Sequence, residues 1–577
     1  MKRGARPVLE QLQEAKLQFG RQAAAKMLAL LNTASRVQFR RADELIRFHE
    51  LLLFIRSYPQ NSAVLKKTDE LLATFSERVA QMGGEDDTFN EEEAAGIAGT
   101  AINAAFSYDI VRWLAHAHPG EIEIDWDGYE NWDRLGATLP RFLPLLEEDA
   151  LVEANVPYLK WLEMAWGQGA DQLLALLRAF ENLQCSPQEK SELFASLELS
   201  VRWQLKDTPA TRTHMRRPTK DIFYHAGPLL RRSDVSLEAE LSAPPLPVEK
   251  LSVREGQAVI NLTRDASIVR YRELYGFTHG DPARVFRANA GRGLEIFVFG
   301  VPPERRLPLR AYHAGFFVKN GVPIGYVETL TLFERIEIGF NLYYTFRDGE
   351  SAWLYAQMLR VFRQFLGVTC VSVDPYQIGL HNREAIDSGA FWFYRKLGFR
   401  SVRTELARLT AAEEKKIKAK PRYRTPPTTL KRLASGPMIY EAPGMRSGDW
   451  DRFLVRHLGY AVQRSMADKF SGDGGQMRRE AVAETERALG MKAPNPGPPQ
   501  HSSFENFALL LAQIPDLQNW PGDQKQRLAA VIEAKMAETD ELPESEYVRL
   551  LNTSPRLRQR VIELGSGDEG LKVNPLR

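Results

Sequence analysis

At 577 residues the chain is too long for a single hydrophobic core, so several domains are expected. Its 44% hydrophobic and 26% charged residues are those of an ordinary soluble protein, and a net charge of +2 speaks against bulk electrostatic binding to nucleic acid or membrane. Two cysteines, Cys185 and Cys370, exclude a disulfide framework, and their apolar contexts suit a reducing cytosol. The first residues start basic but lack an apolar core, so they do not read as a signal peptide. The most apolar run, Leu51 to Ile55, is far too short to span a membrane, and the expected location is cytoplasmic.

From residue 1 to about 235 the pattern reads as helix throughout. Apolar residues recur at three and four in Val8–Leu31, Val37–Ser57, Ser62–Met82, Ala94–Ala117 and Asp171–Leu183. Pro59, Gly83-Gly84, Pro119-Gly120 and Pro187 punctuate these runs, and acidic residues at 85–87 and 91–93 flank a turn and a helix start. His116 and His118, followed by Glu121, Glu123 and Asp125, have some of the look of a metal site. They sit at a helix end beside Pro119, however, and Gly128 comes too early for a calcium loop, so a solvated helix terminus is preferred and no metal is expected. The basic run Thr213 to Lys220 reads chiefly as an exposed loop.

Consecutive prolines at Pro244, Pro245 and Pro247 mark a linker, after which strands dominate. Gln257–Leu262 alternates like a strand, Ile268–Leu274 reads as a short helix, and Leu294–Val301 is a clear strand. Ala314–Lys319 and Val322–Leu332 form a hairpin through Asn320-Gly321. A further strand, Ile338–Phe346, enters the turn Arg347-Asp348-Gly349-Glu350-Ser351. A helix follows from Ala352 to about Phe365, stopped at Gly367. Then come the apolar strand Val368–Val373, bounded by Asp374-Pro375, a helix Asp387–Leu397, and a strand opened by Phe399.

A strand passing through a glycine-containing turn into a helix makes an anion site, because the first helical turn has unpaired N–H groups and the positive end of the dipole. Ala390-Phe391-Trp392-Phe393-Tyr394-Arg395-Lys396-Leu397-Gly398-Phe399 resembles the last signature motif of the GNAT superfamily of N-acetyltransferases. The turn Gly349-Glu350-Ser351 resembles that family's other signature, in which a Gly-x-Gly/Ala turn wraps the pyrophosphate of an acyl-coenzyme A. Phe346 stands where the family usually has Gln or Arg, with Arg347 beside it to supply positive charge. The resemblance covers roughly Leu309 to Val402, under a fifth of the chain.

After Val402 helical patterning returns. Thr410 to Glu413 reads as a capping box for a short basic helix, Glu414–Lys420, ended by Pro421. The Lys/Arg-rich run from Lys415 to Arg432 reads as a solvated linker. Trp450–Ala467 and Gln476–Leu489 are amphipathic helices, and the prolines between Pro494 and Pro499 set off a last helical module. The expected fold is therefore an α+β GNAT-like acyltransferase domain flanked by all-α N- and C-terminal regions. Its divisions are a helical domain at 1–241, a linker at 242–250, the acyltransferase domain at 251–409, a basic linker and helical region at 410–493, and a helical module at 494–577.

The resemblance implies transfer of an acetyl or other acyl group from acyl-coenzyme A to an amine, with the thioester arm lying between two splayed strands. It implies a cofactor-binding loop of Phe346, Arg347, Asp348, Gly349, Glu350, Ser351 and Ala352, and a motif tyrosine, Tyr394, that protonates the leaving sulfur. The base is open between Glu328, a carboxylate in an apolar strand, and Asp374, at the end of the strand after the first helix. His381 and Asn382 lie in the loop that follows. The acceptor is an amine of unassigned identity, and the large helical flanks leave room for a bulky acceptor or a homo-oligomer. The alternative is a fold of the same type that has lost catalysis and serves as a ligand-binding or protein-interaction module.

Overall fold

Asn320 and Gly321 both adopt positive φ, at 49° and 82°, the turn whose twist matches two antiparallel strands. They join β7 (Ala311–Lys319) to β8 (Val322–Leu332), two strands buried along most of their length at the centre of a nine-stranded sheet. This computed structural model describes residues 5–82, 87–91, 94–420, 422–445, 448–495, 497 and 499–566. The Gly83-Gly84 breaker, parts of both acidic runs, Pro421, Pro496, Pro498 and the tail beyond Ser566 lie outside the described residues. Among the described residues no helix is long and apolar enough to cross a membrane.

The chain forms two compact units. Unit 1 holds residues 1–228, 260–278 and 319–323; unit 2 holds 229–259, 279–318 and 324–577. The C-terminal helices and the region after Val402 thus belong to the same unit as the sheet, although the proline-rich segments suggested separate modules.

Unit 1 is not helical throughout. Its helices include Ala5–Ala15, Arg21–Ala34, Ala42–Ser57 and Ser62–Ala73, and Gly20 at φ 104° breaks what reads as one long first helix. A three-stranded antiparallel sheet, in the order β1-β3-β2, is built from β1 (Ala101–Ala105), β2 (Ile122–Ile124) and β3 (Ser200–Gln204). Alanine-rich β1 reads as helix by propensity, but Gly96 and Gly99 at φ 87° and 89° stop any helix before it. Ile122, Ile124, Val201 and Trp203 then bury the alternate positions of β2 and β3.

In unit 2 the sheet runs β11-β12-β10-β9-β8-β7-β6-β5-β4. The remaining strands are β4 (Val248–Lys250), β5 (Val285–Gly291), β6 (Leu294–Phe299), β9 (Arg335–Leu342), β10 (Cys370–Val373), β11 (Arg400–Ser401) and β12 (Met438–Glu441). Gln257–Leu262 is not a strand. It lies inside the helix Val253–Ile268, which begins with a capping box in which Ser252 N–H and Oγ both donate to Glu255, at 3.1 and 2.6 Å. Ile268–Leu274 is correspondingly not a helix, since that helix ends at Ile268 and the next element is Tyr275–His279.

The basic region after Val402 is structured as well. Thr410 does not start a helix but sits inside Thr404–Ala419, its hydroxyl donating to the Leu406 carbonyl at 2.7 Å. Tyr423 donates to the buried Glu413 at 2.7 Å, so the expected linker is tied down. Four buried residues beyond it form β12, which inserts between β10 and β11.

Among the described pairings β9–β10 alone is parallel: Cys370 faces Arg335, Val371 faces Ile336 and Ser372 faces Glu337. A parallel pair needs a crossover, and the buried helix Ser351–Leu366 makes it, capped by Gly367 at φ 68°.

Candidate functional site

The pairing of β9 with β10 stops at Glu337 and Ser372, yet β9 continues to Leu342. β10 ends at Val373, and Asp374 accepts the Tyr376 N–H at 2.8 Å to start the short helix Pro375–Ile378, which leads the chain away. Ile338 to Leu342 therefore pair with β8 alone, from Thr329 to Gly325, and their other edge is left open. Alternate backbone groups of this stretch face the gap.

A cleft of about 200 Å³ fills that gap. Phe340, Asn341 and Leu342 form one wall; Arg347 and Ser351 bring in the helix start; Tyr394 closes the far side. Gln377 and Glu384 complete the rim. Gly339 gives Gln377 room, since a Cβ there would lie 3.3 Å from the Gln377 amide nitrogen.

Tyr394 is 3% exposed, with its ring edge-on to Tyr355, Phe393 and Phe399. Burial holds its phenol proton far more tightly than usual. Its side chain lines the cleft, so the protonated phenol borders that space. Tyr355 behind it is also fully buried, and its hydroxyl finds no hydrogen-bond partner among the described residues.

Of the seven loop residues, two line the cleft, Arg347 and Ser351. Phe346 and Ala352 are buried, and Asp348 is exposed. Glu350 is turned inward, accepting from Arg292 Nε at 3.0 Å and from the Leu230 N–H at 3.1 Å. Arg347 donates to the Leu342 carbonyl at 3.2 Å and forms an ion pair with Glu384. Its charge is compensated, and the Ser351 hydroxyl is spent on the Arg347 carbonyl at 2.9 Å.

The three catalytic candidates are not in one cluster. Glu328 accepts from the Tyr312 hydroxyl and pairs across the sheet with Gly339, on the face of β9 opposite Phe340. Asp374 lines a second cleft, of about 150 Å³, with Arg310, Arg335, Glu337 and Arg456. Asn382 caps the helix Arg383–Asp387 by accepting the Ala385 N–H at 3.0 Å, while it also lines the first cleft. His381 is exposed. The helix expected from Asp387 is two helices, parted at Gly389 with φ 71°. Sequence reasoning missed Gln377 and Glu384, which only the turn after β10 delivers to the rim. Arg360, on the helix Ser351–Leu366, donates to the Pro244 carbonyl at 3.0 Å and does not line the cleft.

Two further stretches singled out in the sequence lie in unit 1. His118 lies 3.0 Å from Asp265, and His116 2.6 Å from the Arg112 carbonyl. Among the described residues no group of His, Cys, Asp or Glu is arranged to hold a metal. The run from Thr213 is not an exposed loop at its start: Thr213 and Met215 are buried, and Thr213 Oγ1 lies 2.9 Å from His49 Nε2. Cys185 is exposed, whereas Cys370 is buried with its thiol pushed up to about 12 by desolvation.

No protein-family model, no curated protein and no solved structure matches the chain.

Proposed function

We propose that unit 2 is an N-acyltransferase of the GNAT type that moves an acetyl or other acyl group from acyl-coenzyme A to an amine. The observation that carries the reading is the parting of the parallel pair β9–β10 beside a cleft lined by Ser351 and Tyr394. An extended thioester arm with amides of its own pairs with the open backbone of Ile338–Leu342 as an added strand does. The amine attacks the thioester carbonyl, a C–N bond forms and the C–S bond breaks. Sulfur leaves with the electron pair and takes the Tyr394 proton, while the proton lost by the amine passes to a carboxylate or water. No covalent enzyme intermediate is required.

A second reading, a ligand-binding module without catalysis, is favoured by the state of the loop. Arg347 is paired with Glu384, and Glu350 lies buried beneath the helix start. The two readings separate in one experiment. Acetyl-coenzyme A at a hundred times its dissociation constant stabilises by about 2.7 kcal/mol and raises the melting temperature. Ser351→Trp, which fills the cleft mouth, removes the shift. Release of free coenzyme A thiol with an amine present supports the transferase; a melt shift with no thiol release from any amine supports the module. No shift with any acyl form contradicts the transferase and leaves a module for another ligand or a protein.

A further inference from the structure

The second cleft lies on the other face of β9. Arg335 and Glu337 come from β9, Leu330 and Leu332 from the paired positions of β8, and Asp374 from the end of β10. Leu330 faces Glu337 and Leu332 faces Arg335 across the two strands, so all four side chains share one face. The outer wall is Phe453 to Arg456, the entry to the helix Val455–Phe470.

Charge in this cleft is arranged in two kinds. Arg335 is nearly buried, stacks on the Trp450 and Phe453 rings at 5.6 and 5.5 Å, and donates to the Ser372 hydroxyl at 3.1 Å. Arg335 and Arg310 both approach Glu337, at 3.4 and 3.5 Å. Arg456 and Asp374 are both exposed where they line the cleft, Asp374 from the turn after β10. Three guanidinium groups against two carboxylates leave one positive charge in excess, while Leu330, Leu332 and Phe453 offer an apolar wall. A cleft of about 150 Å³ is on the scale of one small metabolite.

We propose that this cleft binds a free α-amino acid with an apolar side chain, its carboxylate held by Arg456 and Arg310 and its ammonium group by Asp374. A guanidinium fork suits a carboxylate, and the carboxylate of Asp374 suits an ammonium. The leucine side chains and Phe453 take the apolar part. Asp374 caps the short helix Pro375–Ile378, and Gln377 of that helix lines the first cleft. Under the acyl-transfer reading this amino acid is the acceptor. The binding site itself does not depend on that reading.

The test is a melt and a calorimetric titration of the full chain with leucine, methionine and phenylalanine, without coenzyme A. The two halves of leucine, 4-methylpentanoate and 3-methylbutylamine, serve as controls. At least one amino acid binds, and both half-molecules bind about tenfold or more weakly. Arg456→Glu and Asp374→Asn each weaken the amino acid by about tenfold or more. Arg456 is exposed, so its replacement leaves the fold intact, and an unchanged acetyl-coenzyme A shift in the same variant confirms that. Equal binding of 4-methylpentanoate and leucine, no binding of any amino acid, or undiminished binding to Arg456→Glu overturns the proposal. If acetyl-coenzyme A fails to bind while leucine does, the acyl-transfer reading falls and the amino-acid site stands.

Discussion

The polar cluster around His49 in unit 1 and the cleft along β9 in unit 2 hold comparable groups in opposite settings. In unit 1, Thr213 Oγ1 lies 2.9 Å from His49 Nε2, and His49 Nδ1 lies 3.0 Å from Glu50, the order of hydroxyl, imidazole and carboxylate found in nucleophile triads. Thr213 and His49 are both fully buried, however, and every group there has a structural task. Thr213 accepts the Ala98 N–H at 2.9 Å, and Arg212 donates to Glu50 at 2.7 Å. In unit 2, Tyr394, Glu328 and Asp374 stand apart, but two of them border open clefts. Hydrogen-bond geometry without space for a substrate makes a core. Space beside an open strand edge makes a candidate site even where the polar groups are scattered.

The comparison is broken most forcefully in unit 1. Glu50→Ala leaves the buried Arg212 guanidinium, 4% exposed, without its carboxylate. It is expected to lower stability by about 3–5 kcal/mol in denaturant unfolding, with acetyl-coenzyme A affinity unchanged in whatever protein remains folded. A loss confined to activity would mean that the cluster is a site after all.

Tyr394→Phe works on the other side. It removes the proposed proton donor but keeps the ring packing against Tyr355 and Phe399. Thiol-release kinetics are expected to show kcat lowered by about 100-fold, with acetyl-coenzyme A affinity preserved. Equal loss of both would make Tyr394 a packing residue.

A smaller effect comes from pH. Burial lowers the His49 and His313 pKa values, so the folded chain keeps both rings neutral. Unfolded histidine titrates near ~6.5, so below that pH the unfolded state binds more protons and stability falls, by up to about 1.4 kcal/mol per pH unit for each ring. Their contribution is fully present above that range. Unfolding free energies of His49→Gln between acid and neutral pH are expected to slope less than those of the wild type. Least of all, Tyr355→Phe deletes a buried hydroxyl that has no hydrogen-bond partner among the described residues. Its stability is expected to match the wild type or exceed it by under about 1 kcal/mol in a thermal melt.

Much of the nine-stranded sheet and its crossover was legible in the sequence because local signals agreed there with burial. Asn320-Gly321, the left-handed Gly367 and the apolar run around Val371 each have one physical reading. Where local and tertiary signals disagreed, sequence reasoning failed. The alternation in Gln257–Leu262 pointed to a strand, but the Ser252–Glu255 capping box, also visible in the sequence, decided for helix. Met438–Glu441 is too short to announce itself, and its place between β10 and β11 rests on partners far away in the chain. The cleft itself was half legible. Arg347, Ser351 and Tyr394 were named from the family resemblance, while Gln377 and Glu384 reach it only because β10 ends before β9 does. No sequence signal separated Asp374 from Tyr394, yet they line different clefts.

The central claim is that acyl-coenzyme A lies along the open edge of β9, and hydrogen exchange of the backbone tests it most directly. Adding acetyl-coenzyme A to the full chain should slow exchange in Ile338–Leu342 and at the start of the Ser351–Leu366 helix, and leave β5 and β6 unchanged. Unaltered exchange in Ile338–Leu342 while the ligand is bound would contradict it.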